Sequence, residues 1–304
     1  MSDDARAFWR DPALGEPREL DLPQGRLRAF DAGSGEPIVF VHGLLVNANL
    51  WRNVVRRLAS DFRCLALDMP LGSHELALPG ADLSGPGLAG LVADAISALG
   101  LERATVVGND SGGAVAQILA SRDPERIERL VLTSCDAYEN YPPAAFRYLK
   151  IAAHVPQATI PALFAPMRLR AVRQVPIAYG WLTHRPIDPT AEATYILPIF
   201  RSAGVRRDMQ RAIGHGFRRE QTLAASEKFA GFERPVLIAW SRDDRFFKPE
   251  YAQRLHDAFP DARLEWIEGA RTFSPEDQPE RLAELIAGFV SEPRPEAAPD
   301  QPAS

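Results

Sequence analysis

The chain of 304 residues has only two cysteines, Cys64 and Cys135, and both lie in apolar strand-like runs. Buried thiols are expected there rather than a disulfide. Long hydrophobic runs are missing, so no membrane span is predicted. The start, Met1-Ser2-Asp3-Asp4, is acidic and no apolar h-region follows, which predicts no signal peptide and a cytoplasmic protein. Excess positive charge is absent too. Lys plus Arg total 35 against 40 Asp plus Glu, a formal net charge of -5, so neither nucleic acid nor membrane is expected as a partner. No G-x-G-x-x-G opens the first parallel unit and no metal-ligand cluster is evident, so no cofactor and no metal are expected, and a cofactor-dependent oxidoreductase is disfavoured. Internal repeats are lacking.

What is present is ordinary soluble-protein composition, 46% hydrophobic and 25% charged, in a chain long enough for one domain carrying an inserted subdomain. Residues 1–17 are polar and are expected on the surface. Glu19–Leu22 and Arg26–Phe30 alternate around Pro23-Gln24-Gly25, which predicts a β-hairpin. Continuous apolar runs at Pro37–Val41, Arg63–Asp68, Ala104–Val107, Ile127–Thr133, Pro235–Trp240 and Arg263–Ile267 predict buried strands. Helical patterns alternate with them at Leu50–Ala59, Leu88–Leu99, Ser111–Ser121, Glu250–Phe259 and Pro279–Val290. Such alternation predicts an α/β fold, a mostly parallel sheet with helices on both faces and sites at the carboxyl ends of strands.

Between residues 138 and 229 the alternation stops, and prolines punctuate short helical runs rich in aromatics. A helical lid is predicted there, with the α/β core at 18–137 and 230–290. Residues 291–304, rich in Pro, Ala and Glu, are expected to be disordered.

The chemistry centres on Gly108-Asn109-Asp110-Ser111-Gly112-Gly113, which follows a strand and opens a helix. Gly108 and Gly112 flank Asp110 at the spacing small-x-nucleophile-x-small, the nucleophile elbow. Small residues are needed because the sharp turn brings backbones together while lifting the central side chain clear of the sheet. Ser111 is the poorer nucleophile candidate, since Asn109 would have to be its small flank. The bland reading of Asp110 is a helix N-cap, which the flanking pattern makes the minority view.

Over residues 18–290 the chain resembles the α/β-hydrolase superfamily, and Asp at the elbow resembles its haloalkane dehalogenase and epoxide hydrolase branch. The resemblance implies that Asp110 attacks an sp³ carbon and forms an ester, which water then hydrolyses. It implies an oxyanion hole from the backbone N–H groups of Ser111 and Leu44, the latter just after the His42-Gly43 pair that ends a strand. His42 and Gly43 then read as a supporting loop. For the supporting acid, Asp244 matches the position after the strand following the lid, and Asp136, after the strand preceding it, is the alternative.

Where the family has Gly-x-Gly-His-Phe, this chain has Gly269-Ala270-Arg271-Thr272-Phe273, which puts Thr272 at the usual histidine position. Threonine is no general base near neutral pH. His215 and His74 are the substitutes to test; His256 lies on a predicted helix. Halide-binding Trp and Asn are also missing in register, where Ser111 and Leu44 stand, so an epoxide or related ester is favoured over an alkyl halide. The expected function is hydrolysis of a small hydrophobic electrophile through an atypical triad. Two other readings stay open: a non-hydrolytic epimerase, lyase or cyclase using Asp110 as general base, and a ligand-binding protein without turnover.

Overall fold

The computed structural model describes residues 6–216 and 218–293. Eight strands form one sheet: β1 (Glu16–Leu22), β2 (Gly25–Ala32), β3 (Glu36–Val41), β4 (Phe62–Leu67), β5 (Ala104–Asp110), β6 (Ile127–Cys135), β7 (Val236–Ser241) and β8 (Ala262–Ile267). Their order is β1-β2-β4-β3-β5-β6-β7-β8. The hairpin β1–β2 and the β2–β4 pair are antiparallel, and every pair from β4 through β3 to β8 is parallel. The predicted α/β-hydrolase fold is therefore the fold observed. Strands β3 and β5 are almost wholly buried, as expected for parallel strands covered on both faces, and this is why they read as continuous apolar runs rather than alternating ones. Cys64 and Cys135 are free and buried.

The parallel strands end together, which gathers residues far apart in sequence. Val41 leads into His42-Gly43, Asp110 ends β5, Asp136 follows β6, and Asp244 follows β7. Backbone pairing tightens this: the Asp136 N–H donates to the Asp110 carbonyl at 3.3 Å. Between β6 and β7 the described chain is helical, with Pro189–Arg201, Ala203–Arg211 and Arg219–Ser226 its longer segments. Asp188 caps the first of these, accepting from the N–H groups of Thr190 and Ala191.

Two expectations are corrected or fall outside view. Residues 6–17 are not simply a surface segment: Ala7 and Leu14 are fully buried. The Arg10 guanidinium donates to both carboxylate oxygens of Asp68 at 3.1 and 2.8 Å. Asp68 is buried just past β4, and burial opposes its charge. Arg10 outweighs burial and holds the carboxyl below its ordinary range. A buried carboxylate needs such a counter-charge, and the N-terminal segment supplies it. Of the tail predicted at 291–304, residues 294–304 lie outside the described residues. Among the described residues no helix is long and apolar enough to cross a membrane.

Candidate active site

Asp110 sits at φ 55°, ψ -131°, between β5 and the helix Ser111–Arg122. For a residue with a side chain this backbone is strained, and such strain concentrates where a side chain must be presented. The glycines explain how the turn is accommodated. A Cβ on Gly108 would lie 2.7 Å from Gly112 O, and one on Gly112 only 2.2 Å from Val41 O. A Cβ on Gly113 would meet Cys135 Cβ at 2.2 Å. The side chain of Asn109 points the other way and pins the neighbouring loops, donating to Thr272 O at 2.7 Å and Thr133 Oγ1 at 2.8 Å.

The Asp110 carboxylate lies against the oxyanion loop. A Cβ on Gly43 would come within 2.2 Å of Asp110 Oδ2. His42 braces this loop from inside the protein, with Nδ1 2.8 Å from Gly43 O and Nε2 accepting from Met69 N–H at 2.9 Å. Burial lowers its pKa to about 4, against the opposing charge of Asp68, so the ring is neutral. The Leu45 N–H donates to Leu71 O. The Ser111 N–H lies against the Asp110 carboxylate, and Leu44 lines the same cavity.

Above the elbow lies a cavity of about 230 Å³. Its floor carries Leu44, Asp110, Ser111 and Asp136, and its walls are apolar lid side chains, among them Phe146, Phe164, Met167, Leu182 and Ile213. Ile151, Leu163, Ile177 and Tyr148 line it while remaining exposed, which makes an apolar mouth. The two lid tyrosines on its wall are committed elsewhere: Tyr179 donates to Leu45 O and Tyr148 to Ile177 O, each at 2.7 Å.

Three carboxyls stand at the strand ends, with Asp136 and Asp244 buried and Asp110 half-buried. Burial, joined by the charge of Asp244, raises Asp110 to about 7, although the Ser111 N–H opposes this. Burial also raises Asp244, to about 6, against donors from Phe247 and Phe246. Asp136 is raised well above the ordinary carboxyl range by burial and then by the charge of Asp110. Neither carboxyl oxygen of Asp136 has a hydrogen-bond partner within normal geometry. The Ser111 hydroxyl is near enough to temper its charge without completing that bond.

The structure brings Asp110, Ser111, Leu44 and Asp136 onto one cavity and leaves Asp244 and Thr272 off its wall. Those two meet each other instead. Asp244 Oδ1 accepts from the Thr272 hydroxyl at 3.1 Å and from the N–H groups of Phe246 and Phe247 at 2.8 and 2.9 Å. Neither substitute histidine is placed as a base. His74 is buried with Nε2 3.3 Å from Asp208 Oδ2, His215 is exposed, and no histidine lines the cavity among the described residues. Sequence reasoning overlooked Asp277. Its carboxylate accepts N–H bonds from His184, Arg185 and Arg271, tying the loop that carries Thr272 to the lid. Phe273 N–H adds a bond to Leu182 O at 2.8 Å. No pattern in the sequence marks such a contact.

An acidic side chain lifted from a strand-to-helix turn, with a helical insertion over it, defines an enzyme of the α/β-hydrolase class. The model of the alpha/beta hydrolase fold family matches residues 36–279, and the chain belongs to that family. It is similar to haloalkane dehalogenase 2 of Mycobacterium tuberculosis, 29% identical over 296 residues that cover 92% of this chain and 97% of that protein. A shorter stretch is similar to the soluble epoxide hydrolase of Corynebacterium sp. (strain C12), 36% identical over 108 residues, 35% of this chain and 37% of that protein. Among solved structures, the haloalkane dehalogenase DatA of Agrobacterium tumefaciens C58 shares the fold. It has a TM-score of 0.74 over 92% of this chain and 98% of that one, at 20% identity.

Proposed function

We propose that the protein hydrolyses a small hydrophobic electrophile through an ester on Asp110, an epoxide or related ester in preference to an alkyl halide. The observation that carries this reading is the placement of Asp110: a carboxylate on a strained elbow, facing an apolar cavity beside the Leu44 and Ser111 N–H groups. Attack on an sp³ carbon needs a carboxylate aligned at short range and little else, so positioning supplies much of the rate. The two N–H groups then serve the second step, when the ester carbonyl becomes tetrahedral. Similarity to a haloalkane dehalogenase over most of the chain supports a carboxylate nucleophile. Among the described residues the cavity lining contains no Trp or Asn to donate to a halide, which favours an epoxide. Apolar walls favour a hydrocarbon substituent.

A second reading has an observation of its own. No histidine lines the cavity, and Asp110 is raised to about 7, which suits a general base for proton transfer without hydrolysis.

The test is incubation with a panel of epoxides, alkyl halides and activated esters, with intact mass and products recorded together. Repeated turnover in water enriched in heavy oxygen should label Asp110, because ester hydrolysis leaves a water oxygen on its carboxylate. Proton exchange into substrate with no label on Asp110 would favour the second reading. Saturable binding that survives Asp110→Asn, with neither label nor product, would leave a binding protein.

A further inference from the structure

The cavity floor carries one carboxyl that the ester mechanism does not yet use. Asp136 is buried, lines the same cavity as Asp110, and has both oxygens without a hydrogen-bond partner. A buried polar group left open in this way is uncommon. Its backbone is held from both sides: its N–H donates to Asp110 O at 3.3 Å and its carbonyl accepts from Gln117 Nε2 at 2.7 Å. The backbone of Asp136 is thus fixed beside that of Asp110, and both side chains reach the same cavity.

Epoxide opening needs a proton for the departing oxygen, and ester hydrolysis needs a base for water. The other groups on the cavity are poorly placed for either duty. Tyr179 and Tyr148 give their protons to backbone carbonyls. Lys150 belongs to the exposed outer lid. Asp244 and Thr272 are off the wall and bonded to each other.

We propose, resting on the ester reading above, that Asp136 performs both duties in succession. A carboxylate oxygen of Asp110 attacks an epoxide carbon, the ring C–O bond breaks, and the freed oxygen takes the proton of Asp136. The site then holds a hydroxyalkyl ester on Asp110 and a carboxylate on Asp136. That carboxylate takes one proton from water as the water oxygen adds to Asp110 Cγ. The tetrahedral oxyanion lies at the Leu44 and Ser111 N–H groups. Its collapse breaks the bond from Cγ to the substrate oxygen, and the leaving alkoxide takes the remaining hydroxyl proton. A diol leaves, Asp110 is again a carboxylate and Asp136 is again protonated.

This cycle has a built-in selectivity. A halide leaves as an anion and takes no proton, so Asp136 stays a neutral acid and no base is generated. An alkyl halide should alkylate Asp110 and stop; an epoxide should turn over.

The experiment pairs epoxyhexane and bromohexane on the wild-type protein, Asp136→Asn and Asp110→Asn. Wild type should release diol from epoxyhexane, label Asp110 with heavy oxygen, and accumulate a hexyl adduct from bromohexane. Asp136→Asn should lose about 100-fold or more of diol formation yet keep forming the hexyl adduct on Asp110, which also shows that the variant is folded. Asp110→Asn should do neither. Diol formation by Asp136→Asn near the wild-type rate, or alcohol released from bromohexane as fast as diol from epoxyhexane, would overturn the role of Asp136 while leaving Asp110 as nucleophile. Absence of label on Asp110 in the wild type, with no hexyl adduct, would instead remove the ester reading itself and this proposal with it.

Discussion

The Thr272 hydroxyl donates to Asp244 Oδ1 at 3.1 Å, inside the protein and away from the substrate cavity. The pair forms a hydrogen bond that anchors two loops. Thr272→Val should therefore act on stability more than on chemistry. It removes one of three donors to a buried carboxylate oxygen at a cost of about 1–2 kcal/mol, with kcat on a competent epoxide within a few-fold of wild type. Denaturant unfolding and steady-state kinetics on the same preparation check both halves.

Gly43 is fixed by the Asp110 side chain. An added Cβ would lie 2.2 Å from Asp110 Oδ2. Gly43→Ala must displace the carboxylate or the oxyanion loop. Misplacement by about 1 Å is enough to lower the rate on the order of 100-fold. Adduct formation on Asp110, timed by mass spectrometry, should slow accordingly while the thermal transition persists.

Activity should rise with pH through about 7, because attack requires Asp110 as a carboxylate and its pKa is raised to about 7. Stability should run the other way. With a folded pKa above the ordinary value of 3.8, the native state binds more protons than the unfolded chain between about 4 and 7, so stability falls as pH rises through that window. Asp110→Asn should remove this part of the slope and leave the variant more stable than wild type at pH 8. Paired pH–rate and pH–unfolding profiles test the two signs.

Asp277 ties the lid to the core through N–H bonds from His184, Arg185 and Arg271. Asp277→Ala leaves those amides without their carboxylate. A loss on the order of 2–4 kcal/mol is expected, with KM for an apolar substrate rising more than kcat falls, since Leu182 of the cavity wall sits on the same segment. Hydrogen exchange should report faster opening at 182–185 and 271–273.

Much of this protein was legible in its residues. The alternation of apolar runs with helical periodicity determined the sheet, because buried parallel strands must be apolar on both faces and crossover helices on one. Small residues two before and two after Asp110 marked the elbow, because the clashes at Gly108 and Gly112 are local in sequence. Tertiary structure alone decided which acid lines the cavity. Asp136 and Asp244 each follow a strand and look alike in sequence, but only Asp136 lines the cavity, while Asp244 turns to Thr272 and two backbone amides. It also decided that Arg10 is buried against Asp68, that Tyr148 and Tyr179 of the cavity wall spend their protons on carbonyls, and that Asp277 latches the lid. Each of those depends on which distant groups share one small volume. That is set by how the strands order and the insertion folds back, and no periodicity or spacing along the chain carries it.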